Sequence, residues 1–234
     1  LEFEQALCRK LGVKHCIAVS NGTIAEQLAA VALNLGGEVI LPSFTFIATP
    51  HEQEWLGIKS VFCDISPDTL FLRPDLVESL ITERTSAIMG VHVYGRPCSI
   101  DELTAVAERH QLKLMFDAAH AFACTYNGQM IGGFGDCEVF SFHATKVLNT
   151  IEGGAITTND DDLAQRLRRL RNFGFPGDGR EVTTELGINA KMNEFSAAMG
   201  LVNLAALDDF IATNEQVFQA YKAALHGIPG ISLI

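Results

Sequence analysis

Apolar residues fall along this chain in two alternating patterns: short unbroken runs, and longer stretches in which they recur three and four positions apart. The first pattern predicts strands and the second amphipathic helices. Residues 2–11 read as a helix, His15 to Ser20 as a strand, and Asn21-Gly22-Thr23 as a turn opening a small-residue helix, Ile24 to Leu35. Val39 to Leu41 is a strand ending in the Pro42-Ser43 turn, then come Phe44, Phe46 and a helical stretch towards Trp55. Lys59 to Cys63 reads as a strand and residues 74–82 as a helix, with Pro74 suited to its first turn. Ala87 to Val93 is a strand before the turn Tyr94-Gly95-Arg96-Pro97; Asp101 to His110 is a helix; Leu112 to Phe116 is a strand that delivers Asp117. Tyr126-Asn127-Gly128 and Gly132 to Gly135 form a loop or hairpin without the strand-turn-helix setting of a dinucleotide fingerprint. Val139 to Phe142 and Ala155 to Thr158 are strands flanking Glu152-Gly153-Gly154. A charged helix, Asp160 to Arg171, a mobile glycine-rich loop, 174–185, and one long helical region, 192–225, complete the series. This alternation predicts an α/β domain over 1–234, a three-layer sandwich whose mainly parallel sheet is covered on both faces.

In such sheets ligands sit beyond the carboxyl ends of the strands. Three candidate groups lie there: Gly22 and Thr23 after the first strand, Asp117 after Leu112 to Phe116, and Ser141 with Lys146 after Val139 to Phe142. A helix N-terminus after a glycine turn binds phosphate, because free N–H groups and the helix dipole both favour an anion. A lysine between buried strands is costly to keep charged and suits a nucleophilic amine that forms a Schiff base. Each group also has an ordinary reading: Thr23 as a helix N-cap, Asp117 as the N-cap of a helix at Ala118-Ala119, and Lys146 as a surface lysine. Together, a phosphate cradle, a carboxylate and an amine are the parts needed to hold pyridoxal phosphate, with the carboxylate keeping the pyridine nitrogen protonated.

Composition narrows the partners. A formal net charge of -11 and a pI near 5.0 argue against a nucleic-acid or anionic-membrane surface. No apolar stretch approaches the ~18 residues of a membrane span and the N-terminus has no signal-peptide pattern, so a cytoplasmic home is expected. The six cysteines (8, 16, 63, 98, 124, 137) form no CxxC pair or zinc spacing and read as reduced, mostly buried thiols. The chain starts at Leu1 and stops at Ile234 in an apolar run, which suggests a piece of something longer.

Six segments carry a family resemblance: VSNGT at 19–23, LPSFTFIAT at 41–49, VHVYGRP at 91–97, DAAHAF at 117–122, SFHATK with EGGAITTND within 141–160, and GINAKMNEFSAAMGL at 187–201. In this order they resemble the DegT/DnrJ/StrS family of pyridoxal-phosphate sugar aminotransferases, whose large domain has aminotransferase fold type I. The resemblance implies that Lys146 forms the Schiff base with the cofactor and then shuttles the substrate proton. It implies that Asp117 pairs with the pyridine nitrogen, that His120 meets the phenolic oxygen where relatives often carry Gln, and that Phe46 stacks on the ring. Phe46 alone reads as a core aromatic. Gly22, Thr23, the amide of Ile24 and Ser141 are implied in holding the phosphate. Asn189 resembles the residue that reaches a neighbouring subunit's phosphate, implying a homodimer with shared sites; the plainer reading is a turn residue.

Implied substrates are glutamate as amino donor and a nucleotide-linked keto-deoxysugar, with a 4-keto-6-deoxyhexose suggested by the SFHATK and EGG form. The family also has a segment before this one and a smaller C-terminal domain after it. Apolar positions Phe195, Met199, Val202, Leu207 and Phe210 would pack the large domain, a partner subunit or that absent domain. The competing expectations are a non-catalytic cofactor-binding or regulatory module of the same fold, and a structural interaction domain.

Overall fold

The first helix shows how the chain covers its sheet. In α1 (Glu2–Leu11) the buried side chains Phe3, Leu7 and Leu11 recur every fourth position and make one apolar stripe. Gly12 then closes the helix in the left-handed conformation at φ 71°. The computed structural model describes residues 1–177, 179 and 182–233. It continues with β1 (His15–Val19), α2 (Gly22–Ala32), β2 (Glu38–Pro42), α3 (Ala48–Trp55), β3 (Lys59–Cys63), α4 (Pro74–Leu80) and β4 (Thr85–Val91). A short 3-10 turn, Val93–Gly95, leads to α5 (Ile100–His110), β5 (Lys113–Asp117) and the small hairpin of β6 (Thr125–Tyr126) and β7 (Gln129–Met130). Then follow β8 (Cys137–Ser141), β9 (Gly154–Thr158), α6 (Asp161–Leu170), α7 (Glu194–Ala205) and α8 (Leu207–Leu225).

The main sheet has seven strands in the order β1-β9-β8-β5-β4-β2-β3. Only β9 runs against the rest: it is antiparallel to both β1 and β8, and the other neighbouring pairs are parallel. β1, β5 and β8 therefore end on the same edge. Side chains alternate across the sheet, as strand geometry requires. On β5, Leu114 and Phe116 join the core under α1, α4 and α5, whereas Met115 joins the core under α2 and α6. Apolar cores on both faces make this the expected three-layer α/β sandwich with a mainly parallel sheet.

Two expectations change. The helix expected from Ile24 begins at Gly22, because Asn21 caps it. The region 192–225 is not one helix: α7 and α8 meet at Ala206 with their axes bent by 63°. Leu207 at the break is buried, while Phe195 is 90% exposed and Val202 66%. The loop expected at 174–185 includes positions 178, 180 and 181, which lie outside the described residues. All six cysteines are free, and Cys16, Cys63, Cys98 and Cys137 are buried. Among the described residues no single helix is long and apolar enough to cross a membrane.

Candidate active site

Three strands meet at Gly154, and their meeting point builds one end of the site. Gly154 pairs with Val19 of β1 on one side and with Ser141 of β8 on the other. A Cβ here would lie 2.6 Å from the Asn21 carbonyl and 2.8 Å from the Gly22 nitrogen, so glycine lets the turn after β1 fold over the start of β9. At Gly22 a Cβ would come 3.0 Å from the Ser141 Cβ, which brings the N-terminus of α2 directly beside the Ser141 side chain. Asn21, not Thr23, is the N-cap: its Oδ1 accepts the Ile24 N–H at 2.8 Å. The Ile24 amide expected to face a phosphate is thus already held, and Thr23 is left exposed with its hydroxyl not used as the cap. The amides of Gly22 and Thr23 belong to the first turn, where no intrahelical acceptor exists.

The other end is organised by Asp117, which is 6% exposed at the end of β5. Its Oδ1 accepts the Ala119 N–H at 2.9 Å, and its Oδ2 accepts the Thr49 hydroxyl at 3.1 Å. Thr49 is in turn hydrogen-bonded to Thr45 at 2.8 Å. Turns rather than a helix follow Asp117, so the helix N-cap reading is replaced by a local side-chain turn. Behind it the His92 N–H donates to the Asp117 carbonyl at 3.0 Å. The Cys98 N–H donates to His92 Nδ1 at 3.1 Å, which leaves Nε2 protonated and facing Glu138 at 3.4 Å. Both side chains of that pair are fully buried, and the His92 ring stacks on Phe116 at 5.2 Å.

Lys146 lies in the loop 142–153 between β8 and β9 and is half-buried. Burial pushes its ammonium pKa below that of a free lysine, against the opposing pull of Asp117. His120 is exposed, yet the burial its ring does have and then the Lys146 charge push its pKa down, while Asp117 pulls it up. Asp117 joins this neighbourhood through Ala119, whose N–H it accepts and which lies beside His120 and Lys146. Lys146 and His120 line a cavity of ≈ 300 Å³ together with Tyr94, Ala119, Phe122 and Val147.

Tyr94 was not singled out by the sequence. Its ring stacks on His120 with centroids 6.3 Å apart and planes 4° from parallel, and its backbone is left-handed at φ 54°. The available signal was its place in the VYGRP turn. Of the expected site residues only Lys146 and His120 line this cavity; Asp117 adjoins it through Ala119, and Gly22, Thr23, Ile24 and Ser141 form the phosphate end. Phe46 is 72% exposed on the segment before α3. Asn189 is exposed and bridged to Asn172, one residue from Ala190, whose carbonyl accepts the Ser20 N–H at 2.9 Å. It sits beside the phosphate-end turn.

These residues fit pyridoxal phosphate by donor chemistry. A glycine-built helix N-terminus beside a serine suits a phosphate. A buried carboxylate with accepting capacity beyond its two donors suits a protonated ring nitrogen. A partly desolvated amine suits attachment to the cofactor's carbonyl carbon.

The chain is similar along its length to known proteins. A GDP-perosamine synthase from Caulobacter vibrioides is 44% identical over 227 residues, covering 96% of this chain and 61% of that protein. A dTDP-4-amino-4,6-dideoxy-D-glucose transaminase from Shigella dysenteriae is 40% identical over 233 residues, covering 100% of this chain and 63% of that protein. The crystal structure of DesI in the presence of its TDP-sugar product superposes with a TM-score of 0.94 at 49% identity, covering 100% of this chain and 59% of that one. The chain thus spans about three fifths of the length of the relatives it matches. The DegT/DnrJ/EryC1/StrS aminotransferase family model matches residues 1–234, and the chain belongs to that family.

Proposed function

We propose that this chain is the large, cofactor-binding domain of a pyridoxal-phosphate aminotransferase. It moves the amino group of glutamate to a nucleotide-linked keto-deoxysugar, of which a 4-keto-6-deoxyhexose is the favoured example. The observation that carries this reading is the convergence at one sheet edge of the Gly22–Ser141 cradle, Asp117 and Lys146 in a chain of this family. Relatives named as a GDP-perosamine synthase and a dTDP-4-amino-4,6-dideoxy-D-glucose transaminase support the sugar-nucleotide class.

When bound, pyridoxal phosphate supplies an electron sink and carries the nitrogen between the two half-reactions. Gly22, Thr23 and Ser141 would anchor its phosphate, and Asp117 would hold the proton on its ring nitrogen. Lys146 provides the attachment amine, then takes the proton from the donor's α-carbon and later returns one to the sugar carbon. Burial lowers the proton affinity of this amine, so its neutral, proton-accepting form is available closer to neutral pH than in free lysine. His120 would meet the phenolic oxygen, and Phe46, exposed on the segment before α3, would cover the ring face only by turning in from that segment. Asn189 completes the phosphate end of a partner subunit in a homodimer.

Visible absorbance of the cofactor-loaded protein tests attachment, and Lys146→Ala is expected to abolish that band and to lower turnover by roughly 10³-fold or more. Glutamate should convert the band to the amino form, and a keto-sugar nucleotide should restore it. A folded, cofactor-loaded protein whose spectrum ignores glutamate would sink the transaminase reading and leave a binding or regulatory module.

A further inference from the structure

Behind Asp117 the fold buries two glutamates that the proposed reaction does not use. Glu26 on α2 is 4% exposed and Glu52 on α3 is 1% exposed. Asp117 shares the face of β5 occupied by Met115, two residues earlier, and this is the face that α2 covers. α2 packs directly against α3, and Glu52 and Asp117 are the charged groups that act on the buried Glu26 carboxyl. Among the described residues neither glutamate has a lysine or arginine partner, and each keeps one buried oxygen, Oε2, without a donor.

Lys146 acts on Asp117, but among the described residues no lysine or arginine pairs with Glu26 or Glu52, and ionising both behind Asp117 is costly because each buried charge raises the cost of the next. A proton on one of them turns one orphaned oxygen into a donor. We propose that Glu26 is a positioning residue for this site: it holds that proton and donates it within the cluster, so that Asp117 is the carboxylate presented to the cavity. Burial first, then the Asp117 charge and the contact with Glu52, push the Glu26 pKa well above the usual glutamate range. Asp117 already accepts from Ala119 and Thr49, and a third donor from Glu26 fixes its plane while leaving acceptor capacity for one more donor.

The effect on the cofactor rests on the reading of Asp117 as the ring-nitrogen partner; the proton on Glu26 does not. The decisive measurement is therefore infrared difference spectroscopy on cofactor-free protein at neutral pH, comparing the natural protein with Glu26→Gln. The carbonyl stretch of a protonated carboxyl should be present in the first and missing in the second. The buried carboxyl of Glu138 is common to both samples and cancels. If the difference spectrum shows no lost band, the proposal is overturned.

The positioning role is read from cofactor affinity by absorbance titration. Glu26→Gln retains a donor and should stay within about threefold of the natural protein, whereas Glu26→Leu, which removes it, should bind about tenfold more weakly. Natural affinity in a folded Glu26→Leu protein, or equal damage in both variants, would overturn the positioning role. Should the natural protein take up no pyridoxal phosphate at all, the proposed function falls, and the infrared comparison still decides where the proton sits.

Discussion

The two ends of the site are made of different materials. The phosphate end is backbone: the Asn21–Gly22 turn, the first amides of α2 and two glycines whose missing side chains allow close approach. The ring-nitrogen end is side chain: Asp117 held by Thr49 and Ala119, with two more buried carboxyls behind it. A backbone site fails through shape, because any Cβ at Gly22 or Gly154 meets neighbouring atoms. A charge site fails through protonation, and substitutions that keep its shape still damage it.

The largest effect expected from this contrast is at Asp117. Asn fills the same volume and can keep the Thr49 contact, but it cannot hold a proton on the ring nitrogen as a carboxylate does. Asp117→Asn should lower the rate of α-proton abstraction by roughly 10²-fold or more while weakening cofactor retention much less. Single-turnover spectra with glutamate, set beside a cofactor titration, separate the two. Equal loss of both would mean that Asp117 serves only as an anchor.

Next in size is the shape test. At Gly154 a valine would drive its Cβ into the Asn21 carbonyl, and overpacking of this kind costs about 1–3 kcal/mol. Gly154→Val should lower the thermal midpoint and weaken cofactor binding together, with kcat of the loaded fraction nearly unchanged. A fall in kcat with normal affinity would erase the division between the ends.

The contrast also governs what the sequence could disclose. Asp117 and Lys146 were legible because each follows an apolar run that must be a buried strand, which fixes where the next side chain stands. The glycine end was legible as a turn, although the choice between Asn21 and Thr23 as cap was not, since both residue types cap well and only the backbone path decides which side chain meets the Ile24 N–H. Glu26 and Glu52 were invisible: a glutamate within a helix normally faces water, and their burial arises from the packing of α2 against α3. The bend at Ala206 was hidden for a related reason, because no proline or glycine marks it. Tyr94 owes its position to a left-handed backbone that tyrosine seldom adopts, so the turn motif alone did not point its ring at His120.

Protonation at the carboxyl end predicts a pH effect that the backbone end lacks. The folded pKa of Glu26 is raised above its ordinary value of 4.5, so the folded protein binds more protons than the unfolded chain. Its stabilising contribution is complete below that value and is lost as pH rises through the folded pKa. The slope is at most about 1.4 kcal/mol per pH unit for one proton. Glu52 and Asp117 face it, and His51 acts on Glu52, so the slope belongs to the cluster. Thermal midpoints measured against pH should fall more shallowly in Glu26→Gln, and an unchanged slope would place the titration elsewhere.

The smallest effect is expected at Asn189, and it tests whether the phosphate end is finished within one chain. Asn189 is exposed beside the turn after β1 and bridged to Asn172. Removing its amide should leave the thermal midpoint unmoved. If the group reaches a phosphate bound in a partner subunit, Asn189→Ala removes one hydrogen bond to a charged group and should weaken cofactor binding by about tenfold. Mixing decides between partner and self: a dimer of Asn189→Ala with Lys146→Ala subunits concentrates both defects in one site if the contact crosses subunits. The Lys146-bearing site then keeps an intact Asn189 from its partner and binds with natural affinity. If the contact lies within the chain, that same site carries the weakened affinity, and the backbone end stands complete on its own.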